Sequence, residues 1–315
     1  MMAKPFLKWA GGKGQLLRQL EDLLPPAIRD GGLTNYCEPF IGGGAMFFHV
    51  AERYAITSAY LSDLNPDLIV AYDTVQSNVT ALIDRLQEMA SHYAGLALDC
   101  QKPYFYKVRE AFNRDRLDFD YTTPSDRWVQ RAAWLLFLNK TCFNGLYRVN
   151  KKGGFNVPFG KYKNPRIVDE ANLLRVSELL AIAEIRWKGF EGVLDKANRS
   201  SFVYFDPPYR PISRTSNFTS YSACSFDDNE QRRLALVFAE LDNRGAQVML
   251  SNSDPKNTDP DDEFFDNLYS DYVVTRVSCR RSINSKADRR GTISEIAVTN
   301  YDSPCKAKPL DSEQG

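Results

Sequence analysis

Between residues 34 and 77 the chain alternates elements in an order that few folds allow. Residues 34 to 37 (TNYC) are β-prone and run into the glycine turn of EPFIGGG, and AMFFHVA beyond it reads as a helix. Ile56 to Leu61 is a second strand, ending at Ser62-Asp63. Asn65-Pro66 then opens another helix. Asparagine caps it, and proline fits the first turn because its missing N–H would be unpaired there anyway. Strand, helix, strand, helix in succession is the mark of a parallel sheet.

From about 73 to 140 the pattern turns helical, through VTALIDRLQEM, PYFYKVREAFNR and DRWVQRAAWLLFLNK. GLYRVNKKGGFNVPFGKY follows, with a turn at Lys151 to Gly154 between short β-prone flanks, the pattern of a hairpin. Strands resume in AEIRWKGF, in the apolar SFVYF at 201–205 and in AQVMLSN at 246–252. YVVTRVSC and ISEIAVTN are expected to pair as a late antiparallel hairpin, and the polar tail after Tyr301 reads as disordered. The organisation is an α/β domain split by a helical, basic insert.

Composition excludes several functions. The 315 residues are 43% hydrophobic, enough for a core. No run approaches the roughly 18 apolar residues of a membrane helix, and the first ten residues lack a secretory apolar run. The expectation is a soluble intracellular protein. Six cysteines without a CxxC pair read as reduced, mostly packed thiols. The two histidines, His49 and His92, stand in unrelated surroundings, so neither a serine–histidine hydrolase nor a metal centre is expected. Net charge is zero, yet Lys140, Arg148, Lys151, Lys152, Lys161, Lys163 and Arg166 form an acid-free stretch, and a second basic cluster runs from Arg276 to Arg290. Such patches on a neutral protein suit a local polyanion surface.

Three motifs carry chemistry. WAGGKG resembles a phosphate loop but fails its pattern: the position of the first glycine is Leu7, and Gly14 follows Lys13 where serine or threonine belongs. EPFIGGG sets a glycine turn between strand and helix, where the backbone can approach a ligand closely. Asp63 stands about 20 residues beyond that turn, the usual place of a ribose partner, so the pair speaks for adenosine. FDPPYR puts Asp206 at the end of the buried strand. The Asp206 carboxylate and the Pro207 carbonyl are two acceptors beside the ring of Tyr209, which suits a flat group with an exocyclic NH₂ such as adenine.

In family order, FLKWAGGK, EPFIGGGAMFF, SDLN, FNGLYRVN…GGFNVPFGKY, VYFDPPY, NFTSYS and RRSIN cover residues 4 to 300. On these motifs the chain resembles the α-group, D12-class DNA adenine-N6 methyltransferases, specifically the DNA adenine methylase family. The resemblance implies a Rossmann-like methyltransferase fold with a mixed seven-stranded sheet. Residues 1–72 and 165–301 would form the catalytic domain, and 73–164 an inserted helical target-recognition domain with a hairpin at about 144–160. It implies S-adenosyl-L-methionine as methyl donor, no metal, and cofactor contacts at Trp9, Ala10, Gly11, Lys13, Glu38, Pro39, Phe40, Gly42, Gly44, Asp63 and Asp206. WAGGK is then a methyl-donor site, which explains why the phosphate-loop pattern fails.

The resemblance further implies a base flipped from double-stranded DNA, most favourably in GATC, and held by Asp206, Pro207 and Tyr209 for direct in-line transfer. Lys8, Phe143, Asn144, Leu146, Arg148, Pro158 and Tyr162 match its DNA-contact positions. Arg148 would read guanine, Leu146 and Pro158 would offer apolar contacts to a thymine methyl, and Phe143 would wedge into the duplex where relatives carry tyrosine. The expected setting is cytoplasmic and DNA-associated, with no membrane and no obligate protein partner. Two rivals remain: an enzyme acting on RNA or a free nucleotide, and a catalytically silent DNA-binding protein that keeps the fold.

Overall fold

A computed structural model describes residues 2–14, 16–210, 226–280 and 292–302. NFTSYS, RRSIN beyond Arg280, most of the second basic cluster and residues 303–315 lie outside the described residues. In chain order the elements are α1 (Leu17–Asp22), α2 (Pro26–Arg29), β1 (Asn35–Glu38), α3 (Ala45–Ala51), β2 (Ser58–Asp63), α4 (Pro66–Ser77), α5 (Val79–Gly95), α6 (Leu98–Asp115) and α7 (Asp126–Thr141). Then come α8 (Glu170–Leu180), β3 (Ala183–Trp187), β4 (Ser201–Phe205), α9 (Asp228–Asn243), β5 (Gln247–Ser253), α10 (Phe264–Leu268), β6 (Val273–Arg280) and β7 (Thr292–Thr299).

The strands form one seven-stranded sheet in the order β3-β2-β1-β4-β5-β7-β6. The first five run parallel, and β7 is antiparallel to both β5 and β6. From β1 the chain builds outward through β2 and β3, then returns to the other side of β1 to lay down β4. That reversal opens a crevice beyond the carboxyl ends of β1 and β4, where open α/β sheets bind ligands. The glycine turn follows β1 and the DPPY turn follows β4, so topology alone brings the two motifs together.

β4 is buried along its whole length. Phe202 and Tyr204 join a core on one face of the sheet, and Val203 and Phe205 a core on the other. The period-2 alternation of an apolar run thus supplies both layers at once. Asn65 caps α4 by accepting the Leu68 N–H at 3.2 Å, with Pro66 in the first turn, as the dipeptide predicts.

Some expectations need adjustment. α6 begins at Leu98, ahead of Pro103, which sits inside it. The lost backbone bond is offset by burying Phe105, Val108 and Phe112 along one face. The hairpin over 144–160 is a turn with two isolated antiparallel bridges, Cys142 to Phe159 and Val149 to Phe155, rather than a ladder. Asn150 builds the turn, its side chain accepting the Lys152 and Gly154 N–H groups. α8 and α9 were not expected from the pattern. The position 72/73 falls within α4, and the helical segment shares one continuous core with the sheet, since Leu86, Phe105 and Phe137 cluster with Tyr36 and Phe48. Cys37 and Cys142 are buried thiols, whereas Cys100 is exposed. Among the described residues no helix is long and apolar enough to cross a membrane.

Candidate active site

At the carboxyl end of β1 the turn bends sharply through Gly42 and Gly44, whose φ angles are 46° and 71°. A Cβ on Gly42 would stand 2.9 Å from the Trp9 indole, and one on Gly44 would stand 2.5 Å from the Tyr72 hydroxyl. Only glycine satisfies both the conformation and the close approach. Asp63, the last residue of β2, accepts the Gly42 N–H at 3.2 Å and the Asn65 N–H at 2.9 Å. Burial pushes its carboxyl up to about 6, against the pull of those backbone donors. Each oxygen keeps lone-pair capacity for a ligand hydroxyl. Glu38, at the end of β1, is buried and accepts the Tyr36 hydroxyl at 2.7 Å. Burial drives its carboxyl well above the usual range, with Asp206 and Asp63 adding repulsion. Pro39 is buried beside it, and Phe40 stacks on Phe190 at 5.6 Å.

The N-terminal segment closes over this turn. Trp9 packs on Gly42 and Gly43 and stacks on Tyr147, with ring centroids 5.2 Å apart. Half-buried Ala10 and exposed Gly11, at φ 76°, carry the chain to Lys13, which is only 3% exposed. The Lys13 ammonium lies 2.9 Å from Asp206 Oδ1 and 3.0 Å from Glu295 Oε2, and donates to the Tyr209 hydroxyl at 2.5 Å. Tyr209 in turn donates to Glu295 at 2.7 Å. Burial alone would lower the Lys13 pKa, but Asp206 and its neighbours hold it well above the ordinary value. Burial pushes the Asp206 carboxyl up to about 6, with Lys13 pulling it down and Glu295 pushing it further up. Ser251 on β5 donates to the same Asp206 oxygen at 3.4 Å. From α9, buried Gln231 donates to the Pro208 carbonyl at 3.3 Å and fixes the proline turn. Among the described residues no donor is bonded to the Pro207 carbonyl.

Glu295 and Gln231 escape a motif reading. The signal for Glu295 is a lone acid inside the small and apolar run ISEIAVT. The signal for Gln231 is weaker still, one amide on the inner face of a charged helix.

The residues expected to touch nucleic acid also gather. Asn139, buried near the end of α7, accepts the Lys8 N–H at 2.8 Å and donates to the carbonyls of Lys8 and Gly145, each at 2.9 Å. Phe143 is 51% exposed, a large apolar ring half in water, and its N–H donates to the Pro158 carbonyl at 2.8 Å. Pro158 and Asn144 are exposed, and Asn144 adopts the left-handed conformation at φ 56°. The Lys8 ammonium lies 5.6 Å from the Tyr162 ring centre. Arg148 is exposed, and its guanidinium donates to Asn156 Oδ1 at 2.7 Å. Leu146 instead packs half-buried against the core.

A polar recess of about 490 Å³ lies near Asn35, Ser58 and Ser200, at the amino ends of the strands. Ligands of such sheets bind at the opposite edge, where the turns above converge.

A mixed seven-stranded sheet with two turns converging at its switch point is the architecture of a Rossmann-like methyltransferase fold. The family model of the D12 class N6 adenine-specific DNA methyltransferases matches residues 9–283, and the chain belongs to that family. It is 46% identical to the type II methyltransferase M.MjaIII of Methanocaldococcus jannaschii, over 96% of this chain and all of that one. It is 39% identical to the type II methyltransferase M1.LlaDCHI of Lactococcus lactis subsp. cremoris, over 95% of each chain. It is 33% identical to the DNA adenine methylase of Escherichia coli K12, over 93% of this chain and 94% of that one. Membership makes DNA adenine the group methylated and S-adenosylmethionine the implied methyl donor. The residues fit that donor: Asp206 and Glu295 already neutralise the Lys13 ammonium, and Glu38 lies close enough to Asp206 and Asp63 for their charges to repel, so further carboxyl groups at this edge suit a sulfonium cation.

Proposed function

We propose that the chain methylates N6 of an adenine flipped out of duplex DNA, with GATC the favoured site. The observation that carries the reading is the Asp206–Tyr209 turn, standing at the sheet's switch point beside the Trp9–Lys13 segment. Trp9, Ala10, Gly11, Lys13, Glu38, Pro39, Phe40, Gly42, Gly44 and Asp63 would hold the donor, with Asp63 facing the ribose hydroxyls. When bound, the donor supplies an electrophilic methyl on sulfur. Adenine's amine is a poor nucleophile because its lone pair is delocalised into the ring. Asp206 and the Pro207 carbonyl accept its N–H bonds and so favour the localised pair, while Tyr209 stacks on the base. Positioning supplies most of the gain. The proton that N6 would lose on methylation would pass to the Asp206 carboxylate, which already faces it, and from there to water.

Residues 73–164 are read as the target-recognition segment, with 1–72 and 165–301 catalytic. Lys8 and Tyr162 contact the DNA, exposed Phe143 wedges into the duplex, and Asn144, Arg148 and Pro158, with the exposed part of half-buried Leu146, meet base edges. The Arg148–Asn156 hydrogen bond would be exchanged for guanine.

The test is transfer of labelled methyl to duplexes with GATC or single-base variants of it. Label on the GATC adenine alone supports donor, reaction and target together. Label in another sequence removes the GATC assignment, and label on RNA or free nucleotide favours the other acceptor. Asp206→Ala should abolish transfer with DNA binding retained. Persistent turnover in that variant would refute the catalytic assignment, and binding without transfer by the wild type would indicate a silent DNA-binding protein.

A further inference from the structure

Glu295 belongs to none of the motifs, yet it joins two of them. It lies on β7, paired with Ser253 of β5 on one side and Val277 of β6 on the other. A strand laddered on both sides is a rigid mount. Lys13 and Tyr209, by contrast, lie outside any helix or strand. The Glu295 carboxylate is buried and receives two donors from those segments, the Lys13 ammonium at 3.0 Å and the Tyr209 hydroxyl at 2.7 Å.

The problem it solves concerns Asp206. On the reading above, Asp206 must present lone pairs to the amine of adenine. Its Oδ1 already receives Lys13 at 2.9 Å and Ser251 at 3.4 Å. A buried ammonium facing one carboxylate would form a tight exclusive pair, because nothing else there could hold its charge. Such a pair would compete with the amine for Asp206. Glu295 offers Lys13 a second carboxylate at nearly the same distance. The ammonium can then lean from one to the other without becoming a buried unpaired charge.

We infer that Glu295 is a positioning residue for methyl transfer: it anchors Lys13 and the Tyr209 hydroxyl so that Asp206 is released to accept from the substrate amine. The inference rests on the reading of Asp206 as the N6 acceptor. Substrate entry then shifts the Lys13 proton donors toward Glu295, and no proton need change owner. The Tyr209 ring, whose centre lies 4.5 Å from the ammonium, is held by its hydroxyl while its face meets the base.

The groups facing Asp206 are Lys13 from the N-terminal segment, Glu38 on β1, Tyr204 on β4, Ser251 on β5, Tyr209 in its own turn and Glu295 on β7. Burial presses the Asp206 carboxyl toward its protonated form, Glu295 adds to that, and Lys13 opposes them. Glu295→Gln keeps the shape and removes the charge. Lys13 should then remain on Asp206, and the Asp206 pKa should fall because a negative neighbour is gone.

The experiment uses the full chain. Wild-type transfer to an adenine-containing duplex comes first, since its absence overturns the proposed function itself. With turnover established, Glu295→Gln should lose kcat by on the order of 100-fold, the scale of displaced reacting groups, while the Kd values for donor and duplex move less than about threefold. The acid limb of its pH–rate profile should move to lower pH, and a carbon-13 titration of the Asp206 carboxyl should show the same downward move without turnover. Glu295→Asp keeps the charge one methylene short, so its kcat and acid limb should fall between the two. Wild-type kcat or an unmoved Asp206 titration in Glu295→Gln would overturn the role of Glu295 and leave Asp206 as the acceptor.

Discussion

Arg131→Met would strike the most heavily partnered buried charge of the helical segment. Arg131 is 1% exposed on α7. Its guanidinium donates through Nε to Asp67 Oδ1 at 2.8 Å, pairs through Nη2 with the same oxygen at 2.7 Å, and reaches Asp115 through Nη1 at 2.8 Å. Asp67, in the first turn of α4, also receives the hydroxyls of Tyr147 at 2.9 Å and Tyr121 at 3.0 Å. Phe112 and Phe119 flank the guanidinium, with ring centres at 4.3 and 4.7 Å. Methionine replaces most of the volume but leaves Asp67 buried with two hydroxyl donors and no counter-charge. Breaking a buried pair by removing one partner costs about 3–5 kcal/mol. The two remaining hydroxyl bonds compensate in part, each charge-assisted and worth about 1.5–3 kcal/mol, so the lower end, ~3 kcal/mol, is expected. Urea unfolding followed by tryptophan fluorescence reads the change as a lower midpoint at constant slope. Adding Asp67→Asn should recover part of the loss, because the orphaned charge is then gone. A single variant within about 1 kcal/mol of wild type would refute the reasoning, as would a double variant that is less stable than the single.

Two further outcomes follow from the site. The Asp63 carboxyl is raised to about 6 by burial, so its contribution to stability is complete below its unfolded pKa and is lost as pH rises through about 6. Asn keeps the shape of the neutral carboxyl, so melting temperatures of wild type and Asp63→Asn should lie closest near pH 4 and separate as pH rises toward 8, with wild type falling, and parallel curves would remove Asp63 as the source. Arg148→Ala should cost roughly 1–3 kcal/mol of discrimination at one base pair, measured by competition between GATC and its single-base variants, and unchanged discrimination everywhere would exclude Arg148 from readout.

What the sequence makes legible is whatever depends on local pattern. Asn65-Pro66, the β4 run and the glycine turn each declare their conformation within a few residues, and the sheet follows from their order. Legibility fails where partners are distant. Glu295 meets Lys13 across nearly the whole chain, and Asn139 meets Lys8 through α7, contacts that no local window contains. Pro103 misleads for a different reason: a strong local breaker yields to the burial of Phe105, Val108 and Phe112 by the same helix. The hairpin was readable as a turn through Lys151–Gly154, but Asn150, whose side chain builds it, lies just outside that window.

The stretch from Lys8 to Lys13 serves two masters. Its first residue is clamped by Asn139 to the segment carrying Phe143 and Arg148, and its last is clamped by Asp206 and Glu295 to the sheet. The peptide between them is therefore a ruler, and its graduations are single residues. On the proposed function, it fixes how far the surface proposed to grip the duplex stands from the point where a flipped base would arrive. A chain lengthened by one residue here could keep every motif and still deliver its base to the wrong place. On that proposal the spacing between the lysines would matter as much as the lysines themselves.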